Sequence, residues 1–428
     1  MEKLKVILLG AGSRGMGYTD IMYEQNEKFE VVAVAEPLEA RRNYIKEKHN
    51  IPDDMCFKTW KDVLEKEKFA DVVLICTMDR EHYNPAMAAI EKGYDILLEK
   101  PVAPTPEECI AIRNAAIRKG VKILVCHVLR YAQFFCKIKE IIDSGMLGKV
   151  ISIEHDECVG HIHQSHSFVR GNWGNSQESS TMLLQKSCHD MDLLQWLIGK
   201  KCTRVQSFGS RSYFTKENAP EGSPEYCIEG CPAAETCYYN AVKLYLDEKD
   251  DKWFRGAATK TYNPSDEEVE WAIRNTQFGK CVFKCDNDAV DHQVVNLEFE
   301  DGSLANFNMC AFNEGGRHLR VMGTKGELTG SAGERMLDFF SFDERKHIEI
   351  DTKAETPGST LVTGHGGGDS GLINTLYKYI TGECDEKELS EINISTNNHM
   401  IAFAAEESRK TGKVISIADF EKNIDGVK

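Results

Sequence analysis

From Leu4 the chain runs through a short apolar segment, LKVILL, straight into Gly10-Ala11-Gly12-Ser13-Arg14-Gly15. This junction constrains the fold more than any other stretch. A strand buried on both faces reads as a near-continuous apolar run. GxGxxG at its end makes a tight turn, lets the backbone approach a pyrophosphate and lets the next helix pack on the strand. That helix then aims its unpaired N–H groups at the phosphates.

The alternation repeats. Strand-like runs at Glu30–Ala35, Val72–Thr77, Tyr94–Leu98 and Val121–Val125 are separated by helical segments around Tyr18–Asn26 and at Leu38–His49, Glu81–Lys92 and Pro106–Lys119. Such βα repeats predict a parallel, doubly wound sheet, that is, an α/β fold. Glu36 closes the second strand. A carboxylate there accepts hydrogen bonds from both ribose hydroxyls and repels a 2′-phosphate, which predicts NAD over NADP. Arg41 and Arg42 lie close behind and soften that preference. The cofactor-side set is Gly10, Gly12, Ser13, Arg14, Gly15 and Glu36, with Thr77, His82, Glu99 and Lys100 at or just after the ends of later strands.

After residue 127 the texture changes. A helix at Phe134–Ser144 and a strand at Val150–His155 precede strands at Gln293–Glu300 and Leu304–Cys310 joined by Asp301-Gly302, a hairpin signal. Arg317–Met322 and Glu327–Thr329 add strands, and helices at Gly371–Ile380 and Thr396–Lys410 close the chain. This predicts a nucleotide-binding domain over 1–127 and a second α/β domain over 128–428, with a large, mostly antiparallel open sheet and a Cys-rich insertion at about 211–285.

Lys100 in Glu99-Lys100-Pro101 sits at the carboxyl end of a strand, where open α/β sheets border their ligand crevice. An ammonium there stabilises an alkoxide. Lys186, His189 and Asp192 fall at i, i+3 and i+6, which on one helix puts them on one side. Histidine titrates in the range a hydroxyl proton transfer needs, and Asp192 is placed to orient the ring.

Together the GxGxxG turn, Glu36-Pro37, Glu99-Lys100-Pro101, the segment Arg130-Tyr131 to Gly148-Lys149-Val150 and the His189-x-x-Asp192 helix resemble the Gfo/Idh/MocA oxidoreductase family. The resemblance spans most of the chain and is weakest across 211–285. It implies a Rossmann domain, a C-terminal α/β domain and NAD(P) chemistry on sugars, inositols or their derivatives, with Lys100 as the catalytic lysine and His189 as the acid/base. It also implies a cis Lys100-Pro101 peptide. Where the family often carries Asp four residues before that histidine, this chain has Gln185, with Lys186 beside it, so Lys186 joins the catalytic set. Substrate-side candidates are His127, Arg130, His161, His163, Arg170, Trp173 and His365. Loop histidines also fit a metal or no role, and Gly364–Asp369 also fits a helix entry.

The leading expectation is a net dehydrogenase or reductase for a sugar or glycoside. A glycosidase or epimerase that oxidises transiently with tightly bound NAD is the alternative, and a non-catalytic NAD-binding regulator the third; the presence of both Lys100 and His189 weighs against the last. The net charge of -16 repels phosphate backbones and anionic lipid. A small-molecule substrate is therefore expected, with neither nucleic acid nor membrane as partner. The family resemblance implies a homo-oligomer, dimer or tetramer. Fifteen cysteines without a secretory signal fit a reducing cytoplasm. Five of them, Cys227, Cys231, Cys237, Cys281 and Cys285, bracket a polar segment short of apolar residues. Four of these thiolates fit structural zinc or an iron–sulfur cluster, a metal then supplying stability that a core cannot; disulfides and free thiols are the other readings.

Overall fold

A computed structural model describes residues 3–249, 252–352, 365–384 and 389–425 of the 428. The first sheet is parallel throughout, in the order β3-β2-β1-β4-β5-β6. Its strands are β1 Leu4–Leu9, β2 Phe29–Ala35, β3 Cys56–Phe57, β4 Val72–Ile75, β5 Asp95–Leu98 and β6 Ile123–Val125. The predicted doubly wound α/β fold is thus observed. Every residue of β4 is buried, because helices cover both faces. Ile7, Val73, Ile96 and Ala86 form one core, and Val6, Leu8, Tyr18, Leu74 and Leu372 the other. Helix α1 (Ser13–Glu24) leaves the glycine turn, and α2 (Glu39–His49) follows β2.

The second sheet has nine strands in the order β14-β13-β12-β11-β7-β10-β9-β8-β15. They are β7 Val150–Cys158, β8 Cys202–Ser210, β9 His292–Phe299, β10 Leu304–Cys310, β11 Gly316–Gly323, β12 Gly326–Ser331, β13 Met336–Ser341, β14 Lys346–Asp351 and β15 Ile415–Ser416. All pairings are antiparallel except β7 with β10. One face buries Ile153, Val205, Leu297, Phe307 and Val321 against Phe135, Leu194 and Ala405 from three helices. β8, β13 and β14 carry no clean apolar alternation and escape a sequence reading.

The sequence predicts an insertion too polar to build a core, and the structure corrects this. Leu244, Tyr245, Phe254, Val269, Ile273 and Phe278 form one small cluster, and Val169, Phe214, Tyr239, Val282 and Phe283 another. The apolar residues are scattered in sequence but converge in space.

Arg130, expected at the substrate, is 3% exposed and makes a bidentate pair with Asp192, Nε at 2.7 Å and Nη2 at 2.8 Å. Asn398 donates to the same carboxylate at 2.5 Å. This joins the turn after β6 to the helices Cys188–Ile198 and Ile392–Thr411. Removing one partner of a buried ion pair leaves a stranded charge, at a cost of about 3–5 kcal/mol. Urea unfolding of Asp192→Ala is expected to show a loss of that size, and the Arg130→Met/Asp192→Leu double variant to recover most of it. A single-variant loss within experimental error rejects this account.

Candidate active site

Gly10 has φ +89°, and a Cβ there would lie 2.6 Å from the carbonyl oxygen of Cys76 just past β4. A Cβ on Gly15 would run into the carbonyl oxygen of Gly10, so only glycine lets α1 pack this close. Gly12 caps α1 without a side chain, leaving the first-turn N–H groups to a ligand. Glu36 is buried at the end of β2, its carboxylate accepting from the N–H of Ala11 at 2.8 Å and of Leu38 at 2.9 Å. A phosphate cradle edged by a carboxylate fits a dinucleotide with free ribose hydroxyls.

Two cofactor-side expectations need correction. The Arg14 side chain turns from the cradle, its Nε 3.0 Å from Glu99 and its Nη2 2.7 Å from Asp369. His82 is buried, with Nδ1 2.7 Å from the Pro101 carbonyl and Nε2 3.1 Å from that of Thr77. It clamps the loops after β4 and β5 and has no free nitrogen for a cofactor. The Thr77 hydroxyl donates to Glu81 within its own loop at 3.0 Å. Ser13 opens α1.

Beyond β5, Glu99 accepts from the Lys100 N–H at 2.8 Å, and the Lys100-Pro101 peptide is cis. Lys100 Nζ donates to the Gln185 carbonyl at 2.7 Å. The expected continuous helix breaks here. Met182–Gln185 is one short helix, Ser187 leaves helical geometry at φ -101°, ψ 9°, and Cys188–Ile198 is another. Lys186 and His189 therefore do not share a helix face, and Asp192 serves Arg130 instead of His189. The break lets Lys186 reach the cleft while His189 stays inside.

That cleft, of about 380 Å³, is lined by Lys186, Glu157, His161, His163, Gly316 and Arg317 among others. Lys186 Nζ lies 3.3 Å from Glu157, which also pairs with Arg317, its neighbour across the β7–β11 ladder. Arg317 Nε donates to Asp190 at 2.8 Å, and Asp190 meets His155 Nε2 at 2.8 Å. Burial lowers the Lys186 ammonium below its ordinary pKa; Glu157 opposes this and Arg317 adds to it. Burial, then Lys100, His127 and Arg317, hold His189 well below the usual histidine value, so its ring is neutral. Sequence reasoning missed Glu157, Asp190 and Arg317. The available signal was His155 and Glu157 continuing the inward alternation of β7 from Ile153.

Of the substrate-side candidates, His161 and His163 line the cleft. His163 packs between Phe168 and Trp253, and burial pushes it down to about 2. Trp173 is half-buried against Phe168. His365 meets Asp369 at 3.3 Å beside the glycine turn; Gly364 lies outside the described residues. Arg170 corrects its expectation: fully buried, it donates to the carbonyls of Lys280 at 2.7 Å and Tyr239 at 2.6 Å and holds the insertion together. His127 is buried between His189 and His399, at ring-centroid distances of 5.6 and 5.5 Å, and lies away from the cleft.

The metal expectation is also corrected. Among the described residues no group of three or more His, Cys, Asp or Glu is placed to hold a metal ion. Cys227 Sγ faces Arg170 and the Lys280 carbonyl, and Cys285 Sγ donates to the Cys281 carbonyl. With Cys231 and Cys237 these five are free thiols, set around the small cores described above.

Residues 4–127 match the oxidoreductase family with an NAD-binding Rossmann fold, and residues 139–416 its C-terminal alpha/beta domain. The chain belongs to this Gfo/Idh/MocA family and is an NAD-binding oxidoreductase. It is 26% identical over 323 residues to the Bacillus subtilis oxidoreductase YteT, covering 72% of each chain. It is 25% identical to an inositol 2-dehydrogenase/D-chiro-inositol 3-dehydrogenase of Lactiplantibacillus plantarum, over 36% of this chain and 41% of that one. An Agrobacterium radiobacter oxidoreductase solved with NAD+, L-tartaric acid and magnesium has the same fold, with a TM-score of 0.69 at 11% identity over 98% of this chain and 99% of that one. Among the described residues no helix is long and apolar enough to cross a membrane.

The buried neutral histidines carry a sign for stability. Burial pushes His166 and His399 down to about 3 and His163 to about 2. Below the ordinary pKa of about 6.5 the unfolded chain takes up protons that the fold refuses, so stability is present above pH 6.5 and falls on acidification, by about 1.4 kcal/mol per pH unit for each ring. Urea unfolding followed from pH 6.5 to 5, above the carboxylate range, is expected to show uptake of more than one proton per chain. A flat profile counts against neutral buried rings.

Proposed function

We propose that the chain transfers hydride between NAD and a hydroxyl-bearing carbon of a sugar or sugar derivative, with Lys100, Lys186 and His189 as its catalytic residues. The observation that carries this reading is the Lys100–Gln185 hydrogen bond, which brings the strand-end lysine to the helix break bearing Lys186 and His189. Gly10, Gly12, Gly15 and the α1 N-terminus hold the pyrophosphate, and Glu36 the adenosine ribose. NAD supplies the hydride acceptor. Lys100 donates a hydrogen bond to the substrate oxygen and stabilises it as it gains charge. His189, uncharged and without a partner at Nδ1 among the described residues, accepts the hydroxyl proton on its ring. Burial favours the neutral amine of Lys186, which takes that proton from His189 and releases it toward the cleft. His161, His163, Trp173 and His365 border the sugar. A homo-oligomer is part of this reading, on the family's example.

A second reading, redox-neutral cleavage or epimerisation with NAD retained, gains support from the insertion. Its Lys260 carbonyl accepts from Arg41 of α2, on the nucleotide side of the molecule.

Lys100→Ala and His189→Ala are each expected to lower turnover about 10²–10⁴-fold on a panel of sugars and aryl glycosides, with NAD binding kept. Following absorbance at 340 nm and aglycone release, with and without added NAD, separates net oxidation from redox-neutral cleavage. Near-normal turnover in both variants rejects the assignment.

In the same way, Glu36→Ala is expected to narrow a preference for NAD over NADP in titrations of both. Tighter NADP binding by the unaltered protein overturns that preference.

A further inference from the structure

The insertion reaches the nucleotide side of the molecule. After the helix Lys252–Thr259 it turns at Lys260, φ +60°, and Tyr262 reaches back to the first sheet. There its ring pairs with Tyr44 of α2, centroids 4.4 Å apart, and packs against the core that includes Val6, Leu8 and Tyr18. Arg41, one turn earlier on α2, donates from Nε to the Lys260 carbonyl at 3.2 Å. The Nη1 of the same guanidinium lies 3.9 Å from where a Cβ on Gly12 would stand. One side chain therefore spans from the glycine turn to the insertion.

The turn is braced from behind. Thr259 and Thr261 share a hydroxyl hydrogen bond at 2.9 Å, and Thr259 also donates to the Arg255 carbonyl at 2.9 Å. Arg255 is buried and anchored by the Tyr245 carbonyl at 2.9 Å and Asp266 at 2.7 Å. Phe254 and Ala258, on the same helix, sit in the insertion's core. A braced turn of one domain thus rests on the other where the adenosine half of a dinucleotide must enter and leave.

We propose that Thr259–Tyr262 forms the outer wall of the adenosine end of the NAD site, and that the cofactor dissociates only when the Arg41–Lys260 and Tyr44–Tyr262 contacts open. The inference rests on the placement of NAD at the glycine turn. Dissociation then requires separating part of the domain interface, and the effect falls on the off-rate. The Tyr262 hydroxyl is buried and has no hydrogen-bond partner among the described residues, so the wall is held by its ring and not by its oxygen.

The test loads the full-length chain with NADH, chases with excess NAD and follows nicotinamide fluorescence in a stopped-flow instrument. Tyr262→Ala and Tyr44→Ala are each expected to release NADH faster, by roughly tenfold, as loss of a half-buried aromatic pair predicts. The double variant is expected to be no faster than either single one, because both remove the same contact. Tyr262→Phe keeps the ring and is expected to release no faster than the unaltered chain. Unchanged release in Tyr262→Ala and Tyr44→Ala, with NADH still bound, overturns the wall and leaves the cofactor assignment standing. Additive acceleration in the double variant, or Tyr262→Phe as fast as Tyr262→Ala, also overturns it. Failure of the unaltered chain to bind NADH overturns both.

Discussion

The guanidinium of Arg14 is the point on which the two halves of the active site depend. It leaves the glycine turn and meets Glu99, the residue before Lys100, and Asp369 of the second domain. Burial alone raises a carboxyl's pKa, but Arg14 and Lys100 hold Glu99 below its ordinary value. Charge-assisted hydrogen bonds in a partly buried setting are stronger and more directional than neutral ones. The cofactor cradle, the Lys100 strand end and the loop bearing His365 are therefore set against one another by a single side chain. Gly368, where a Cβ would meet the Val128 carbonyl, and Gly371, where one would meet Tyr131, allow the Asp369 helix that close approach.

Around this fixed frame, burial keeps His127, His189 and His399 neutral while lysines and arginines keep their partners. Lys186, Glu157, Arg317, Asp190 and His155 form one continuous chain across β7, β11 and the start of the helix Cys188–Ile198. Its two acids pair with its two cations, Lys186 and Arg317. Under the proposed function, the uncharged His189 and the Lys100 cation form a preorganised pair, which needs no reorganisation as charge develops.

Much of the first domain was legible because its signals are local. The apolar run before Gly10 and the glycine spacing identify β1 and α1, and Glu36 follows at the expected offset. The position of Lys100 was readable for the same reason: Glu99-Lys100-Pro101 announces a strand end. What sequence periodicity mislocated are side chains whose fate is decided by distant partners. Arg130 and Arg170 look like ligands for a hydroxylated substrate, yet each is consumed by groups more than sixty residues away. The helix carrying His189 was predicted to begin at Lys186, two residues too early, because nothing local marks the break at Ser187. The cysteines mislead similarly: their spacing suggests a metal, while the carbonyls and aromatic rings that surround them come from elsewhere in the insertion.

The parallel pairing of β7 with β10 has a consequence for how the molecule is made. β7 carries His155 and Glu157, but its two neighbours, β10 and β11, lie beyond the entire insertion, with Ser152 opposite Leu304. During synthesis this strand must wait, with both edges unpaired, while the following residues emerge. Pairings of such long sequence separation form slowly. The strands of the first sheet are all made by residue 125, although part of its core, Leu372 included, comes from later in the chain. Nascent chains of this protein will therefore pass through a stage with all strands of the first sheet made and β7 still unpaired, and in that stage the exposed strand is the segment most in need of a chaperone's shelter.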